Sequence, residues 1–424
     1  VIEIGAEYYS RDVWEANAGD PAMPDLFAAV FAEMVAAFAT AEAAHSADVY
    51  EIAVQAARFQ SDDGNPDNGA LADADSFIDA YLARGVASDI DALVWHRYVY
   101  TFDQTAHHLD PARGEHTLTQ HVDMWETALG RPLDLVTGWA APDVDRNAES
   151  LSDPNFDFGP RSAHATLQIF SELSEAGADV STIYGIDSPW IGAPSTGGNS
   201  ANDFAVRFNG EVYRLMTESL VGLTSTDAFH HNHVVTTAQN EPVPTNLVNV
   251  FGFTGADRHV DFLAAWDLLD TVLDVEIMAP AAFDATHAIL TMLVPDSMAE
   301  DAGAIEVAPS AERLPNGNIL VHDVTDFAVI RAEFVADDQD LNVSHAWQTV
   351  VNLDTGRGLT VLSDADDDAA GSSVADVVLG GAGDDFLSGQ SGADLLIGDG
   401  VSPDVLRQWL SSDTFEFAAD DLIA

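Results

Sequence analysis

The chain has 424 residues, of which 47% are hydrophobic and 9% aromatic, enough to build cores for two or three domains and to exclude a disordered chain. Its 71 acidic residues face only 15 basic ones, every one an arginine, and the formal net charge of -56 excludes nucleic acid and anionic membrane surfaces as partners while favouring divalent cations or a saline setting. With no cysteine there is neither a disulfide framework nor a thiolate site, no apolar run reaches the ~18 residues of a membrane span, and any export signal is expected elsewhere than at Val1, which opens directly on a strand.

In chain order, apolar residues at 1, 2 and 4 predict a short strand, with Glu7 just beyond it. Asp25 to His45 is a helix, with Leu26, Phe27, Val30, Phe31, Met34, Val35 and Phe38 at i, i+3, i+4 spacing. Strand Val49 to Gln55 precedes helix Asp73 to Arg84, closed by Gly85. Strand Ala92 to Tyr100 precedes helix His116 to Leu129, closed by Gly130. Leu133 to Thr137 is a buried parallel strand running into a loop with Trp139 and Pro142, and position 138, where a chemical group is expected, is glycine. Helix Pro160 to Ala176, strand Val180 to Ile186 and helix Val206 to Leu220 complete five strand-helix units, a parallel sheet that right-handed crossovers curl into part of a (β/α)8 barrel.

Residues 223 to about 345 change character. Leu247 to Phe253, His259 to Ala265, Thr271 to Ile277, Ala288 to Val294, Asn318 to Val324 and Phe327 to Phe334 are short strands between Gly, Asp, Asn and Pro turns, the pattern of an antiparallel β-sandwich. His230, His231 and His233 form a dense cluster, but spacing places no third metal ligand, so a surface cluster is favoured, as it is for His107 and His108.

The strand ends resemble the second half of the clan-A retaining glycoside hydrolases, of the xylosidase and arabinofuranosidase kind. The fourth-strand match is Gly5-Ala6-Glu7-Tyr8-Tyr9, which carries the general-acid position over to Glu7 and replaces the neighbouring Asn by Ala6. The sixth is Val94-Trp95-His96-Arg97-Tyr98, and the seventh is Val136-Thr137-Gly138-Trp139, which puts the nucleophile position on Gly138. Asn199 to Gly222 resembles the last barrel helix. The likeness implies a barrel portion over residues 1–222, strands four to eight, with strands one to three supplied by a longer precursor or by another chain.

Glycine cannot attack an anomeric carbon, and a retaining glycosidase needs a second carboxylate ~5 Å from its acid. An inverting mechanism needs one ~6.5 to 9.5 Å away, for which Asp143 and Asp187, just beyond strand ends, are the candidates. Glu7 is thus either an acid whose pKa burial raises or, the favoured reading, a leftover in a dead or sugar-binding cleft. Tyr8, Tyr9, His96, Tyr98, Trp139 and Trp190 are either barrel-mouth packing or a platform for sugar rings.

Near the end comes a repeat. Gly380 to Ser388 and Gly389 to Ile397 are successive nonapeptides of the form G-G-x-G-x-D-x-U-x, with a degenerate copy at Gly371 to Leu379 and a failed fourth beginning at Gly398, which has Pro403 where Asp is expected. Glycines such as Gly380, Gly381, Gly383, Gly389 and Gly392 permit tight turns that aim carbonyls inward. The sixth-position Asp376, Asp385 and Asp394 add carboxylates, and the apolar eighth position fills a thin core. Oxygen-only ligands select a hard cation, with Ca2+ expected, and two nonapeptides per coil put Asp376 and Asp394 on one side. The stretch resembles the repeat-in-toxin (RTX) family, which implies type I secretion to the outside and folding on Ca2+ after export.

The expected architecture is therefore multidomain. A partial (β/α)8 barrel at 1–222 leads into a β-sandwich at 223–345, a short parallel β-roll at 371–400 and an acidic tail at 401–424, which is either a further roll or a secretion tail. Two functions fit: a secreted Ca2+-binding protein whose barrel has lost retaining catalysis and binds carbohydrate or plays a structural part, or an active polysaccharide hydrolase using Glu7 with a non-standard second carboxylate.

Overall fold

A computed structural model describes residues 2–4, 23–45, 51–55, 70–98, 118–140, 160–183, 206–226, 234–237, 248–265, 272–280, 283–297, 302–336, 341, 346–371, 376–398 and 401–412. The chain divides into two compact units, residues 1–149 with 176–184 and residues 150–175 with 185–424.

In the first unit five strands, β1 (Ile2–Ile4), β2 (Ile52–Gln55), β3 (Ala92–Tyr98), β4 (Asp134–Ala140) and β5 (Val180–Ile183), lie side by side in chain order and pair in parallel throughout. Parallel strands that stay in sequential order, joined by right-handed crossovers, keep their helices on one side of the sheet. That is how a barrel winds; a doubly wound sheet reverses its order midway. The helices α1 (Met23–His45), α2 (Ala70–Arg84) and α3 (Leu118–Leu129) lie next to one another accordingly. Phe31 of α1 meets the Tyr81 ring edge-on at 5.0 Å, and Tyr81 of α2 meets Trp125 of α3 at 5.9 Å. Burial pushes the Tyr81 phenol well above its ordinary pKa, so it stays protonated.

Helix ends follow the glycine pattern. Gly130 takes φ +71°, a conformation that costs a residue with a Cβ, and its N–H reaches the Glu126 carbonyl at 2.7 Å. Aspartates brace the N-terminal ends of the strands: Ile52 N–H donates to Asp91 Oδ2 at 2.9 Å and Leu135 N–H to Asp179 Oδ2 at 2.8 Å. One expectation is corrected here. The segment Pro24–His45, 22 residues that include an 18-residue stretch of mean hydropathy 1.6, is long and apolar enough by length and composition to cross a membrane. Leu26, Phe27, Val30, Phe31, Met34, Val35 and Phe38 together with the alanines produce that value, although the helix also has three acidic residues, Asp25, Glu33 and Glu42, on it.

The second unit is layered. Its largest sheet contains β6 (Thr224–Ser225), β8 (Val248–Thr254), β9 (Arg258–Ala265), β11 (His287–Pro295), β12 (Ala304–Val307), β15 (Val329–Val335), β16 (Gln348–Asn352) and β17 (Gly358–Val361), continued by β19 (Asp376–Leu379) and β21 (Leu395–Ile397). A smaller antiparallel sheet is made by β7 (Val234–Thr237), β10 (Leu273–Ile277), β13 (Ala311–Arg313) and β14 (Ile319–Val324). Alternation along the strands buries both faces of the large sheet. Val248, Val250, Leu263 and Leu290 face Leu273, Val275, Ile319 and Val321 of the small sheet. Phe251, Phe253, Phe262 and Leu293 instead meet Ala163 and Leu167 of helix α4 (Pro160–Glu175) and Phe208, Val212, Leu215 and Met216 of helix α5 (Phe208–Ser219).

The sandwich strands thus fall where the turn residues put them, but the units are drawn differently from the expected 1–222 and 223–345. Helices α4 and α5, expected as barrel helices, carry large apolar faces that pack on the antiparallel sheet. Nor does the sheet stop at 345: β16 pairs with β11, β17 pairs antiparallel with β16, and from β17 onward the pairing turns parallel. Residues 401–412 of the tail are structured as well. Helix α6 (Pro403–Ser411) inserts Leu406, Trp409 and Leu410 into a core with Ile289, Val350, Leu359, Val377 and Ile397.

Candidate metal centre

From Gly358 onward the chain winds as a flattened coil whose two sheets are β17, β19 and β21 on one side and β18 (Asp368–Ala370) and β20 (Phe386–Ser388) on the other. Register fixes the coil at two nonapeptides: Leu359 pairs with Val377, Val377 with Leu395, and Asp368 with Phe386. Turns eighteen residues apart therefore stack. Residues 362–367 lie against 380–385 at one edge, and 371 and 376 against 389 and 394 at the other.

The stacking aims oxygens into the turns. Asp367 N–H donates to Asp385 Oδ1 at 3.0 Å and Asp376 N–H to Asp394 Oδ1 at 3.2 Å. At the first edge, Ala382 N–H reaches Asp364 Oδ1 at 3.3 Å and Asp384 N–H reaches Asp366 Oδ1 at 2.9 Å. A Cβ on Gly381 (φ +85°) would collide with the Ser363 carbonyl oxygen, and one on Gly383 (φ +127°) with that of Ala365. Gly380 and Gly389 leave room in the same way for the carboxylates of Asp385 and Asp394. Gly392 also has positive φ, at +137°. At the repeat position of Gly381, Gln390 adopts φ +59° despite its side chain.

Each edge thus brings two sixth-position aspartates, Asp367 with Asp385 and Asp376 with Asp394, alongside main-chain carbonyls. Residues 358–398 hold Asp364, Asp366, Asp367, Asp368, Asp376, Asp384, Asp385 and Asp394, with no basic residue among them. Like charges so close repel until a cation enters, and oxygen-only donors suit a hard ion that takes six to eight oxygens. Carbonyls and carboxylates together are the donor types that Ca2+ takes, although among the described residues no group of three or more His, Cys, Asp and Glu side chains is placed to hold a metal.

Residues 370–401 match the family model of the RTX calcium-binding nonapeptide repeat. This stretch is an RTX repeat. The coil extends the RTX segment backwards, because Leu362 to Ala370 forms a first turn that the sequence reading missed. All its glycine positions are lost, and only the 18-residue offset of Asp367 from Asp385 signals it. The apolar pattern is also wider than the eighth position. Val378 is buried, but Val377, Leu379, Leu395 and Ile397, on the opposite face, pack under α6. In the last coil the eighth-position Leu396 is 42% exposed.

No curated protein matches the chain. Solved structures similar to it include a GH51 arabinofuranosidase from Xanthomonas axonopodis pv. citri, at 11% identity over 67% of this chain and 58% of that one, TM-score 0.35. A GH30 endoxylanase from Clostridium papyrosolvens aligns at 12% identity over 72% and 70%, TM-score 0.39. A β-porphyranase of glycoside hydrolase family 86 from Bacteroides plebeius aligns at 12% over 68% and 48%, TM-score 0.37. These are clan-A glycoside hydrolases. Likeness at this level carries nothing about catalytic residues.

Of the expected sugar-site residues, Glu7, Tyr8, Tyr9, Asp143, Asp187 and Trp190 lie outside the described residues, as do His107, His108, His230, His231 and His233. The backbone of the others is placed. His96 and Tyr98 of β3 pair in register with Gly138 and Ala140 of β4, and Trp139 with Ile183 of β5.

Proposed function

We propose that this chain is a secreted protein whose RTX coil binds Ca2+ between stacked turns and whose parallel-stranded unit is a glycosidase-like barrel portion that has lost retaining catalysis. The pairing of aspartates eighteen residues apart supports the first part, because it repeats at both edges of the coil. The second part rests on the sequence resemblance, which puts the nucleophile position on Gly138. In this reading the strand-end aromatics hold a carbohydrate without cleaving it or serve an extracellular structural role. The rest of the barrel comes from the same precursor or another chain; the bare apolar residues Leu26 and Val30 of α1, 55% and 46% exposed, suit such a neighbour.

Two experiments test it. Melting the full chain with and without chelator reads the calcium part: each site filled at about 100 times its Kd adds about 2.7 kcal/mol to the folded state, so an unchanged melt would sink it. Hydrolysis of aryl glycosides and oligosaccharides, with and without Glu7→Gln, reads the barrel part. Binding without turnover supports the proposal, and turnover that disappears with the substitution replaces it by an active hydrolase.

A further inference from the structure

In the second unit an open cleft of about 500 Å³ is lined by Trp347, Arg214, Glu211, Glu306 and Ile305. Two features set it apart from ordinary surface. Trp347 has φ +58°, a left-handed conformation that a bulky residue adopts only when the surroundings hold it there, and such strain gathers at binding sites. Beside it, Arg214 is fully engaged: Nε donates to Glu211 at 2.6 Å, Nη1 to Glu218 at 2.8 Å and Nη2 to Glu306 at 2.9 Å. Partial burial works against its charge, but the hydrogen bonds from Glu211 and Glu218 outweigh that and hold its pKa above the ordinary value. The network joins helix α5 to β12, so the carboxylates are fixed rather than free to swing.

Three carboxylates around one guanidinium leave a local charge of minus two, which repels anions. Each carboxylate retains a second oxygen beyond the one facing Arg214, and such oxygens accept from hydroxyl donors. The guanidinium in their midst opposes a second cation. An indole and fixed hydroxyl acceptors lining one cleft match a neutral sugar ring, whose C–H face lies on an indole while its hydroxyls point sideways. We infer that the cleft between Trp347, Glu211 and Glu306 is a binding subsite for a neutral polysaccharide. It does not depend on Glu7, Gly138 or calcium.

Affinity electrophoresis of the full chain tests this, in native gels containing xylan, laminarin, hydroxyethylcellulose or agarose, because an uncharged matrix cannot retard so acidic a protein by charge. At least one polysaccharide should slow the wild type, and chelator should leave that retardation unchanged. Trp347→Gly should weaken it by about tenfold or more while melting at the wild-type temperature or above, since glycine is at ease at this φ. Trp347→Phe should keep part of the affinity, and Glu306→Gln should reduce it. Absence of retardation in every gel, equal retardation of Trp347→Gly, or retention by a polylysine gel alone would each overturn the inference.

Discussion

The main-chain N–H of Asp376 donates to Asp394 Oδ1 at 3.2 Å across eighteen residues of chain, and Asp367 stands in the same relation to Asp385. Two aspartates that occupy the same place in successive coils thus share one edge. Without a cation this arrangement concentrates negative charge in a chain that already has a net charge of -56. The glycines and the carboxylates therefore make separate, measurable contributions.

Gly381→Ala should destabilise the coil by about 1 to 3 kcal/mol, because the new Cβ meets both an unfavourable φ and the Ser363 carbonyl. Gln390→Gly should do the opposite, gaining about 1 kcal/mol by releasing a left-handed conformation at the equivalent position. Denaturant melts in saturating Ca2+ read both changes, and identical midpoints for the two variants would contradict the assigned turns.

The coil is anchored at its closing helix. Trp409 is buried with Leu406 and Leu410, its carbonyl accepts from Arg357 Nη1 at 2.7 Å, and the Arg357 guanidinium lies 5.1 Å from its ring centroid. Trp409→Ala should cost about 3 to 5 kcal/mol and expose the coil to protease within residues 358–398. Undiminished resistance would mean that α6 is dispensable.

Acid should destabilise the second unit through His164. Burial pushes its pKa down to about 3, and the Asn249 amide Nδ2, 3.1 Å from Nε2, can only donate, which requires a neutral ring. A folded value below the unfolded ~6.5 means that the unfolded chain binds the extra proton. The His164 contribution is intact above pH ~6.5 and is lost at about 1.4 kcal/mol per unit as pH falls toward the folded value. His164→Gln keeps an acceptor for Asn249 and should flatten that limb by one proton; an unchanged slope in urea melts across pH 4 to 6 or so would show that another group sets it.

Much of this was legible beforehand, and the reasons differ by region. Strand-helix units ending in Gly85 and Gly130 announce themselves because a helix stop and an apolar run are local signals. The six sandwich strands are as plain, since turn residues bound them. What the residues did not show was which core a helix joins: α4 and α5 have strong apolar faces, but nothing local says that Phe251 and Phe253 are their partners. The turn at Leu362 to Ala370 was hidden because only its aspartates survive, and the tail's helix because its apolar residues mimic another repeat. Of the candidate metal-site residues, those with glycine punctuation were readable, whereas Asp367 became visible only through register.

Calcium titration of the chelator-stripped full chain, by calorimetry in physiological salt with excess magnesium to suppress diffuse binding to the acidic surface, tests the central claim most directly. Saturable Ca2+ sites should appear that are lost when Asp376→Asn is combined with Asp385→Asn, one change at each edge of the coil. Equal titration of the wild type and that double variant, or no saturable heat at all, would show that the stacked turns do not hold the ion.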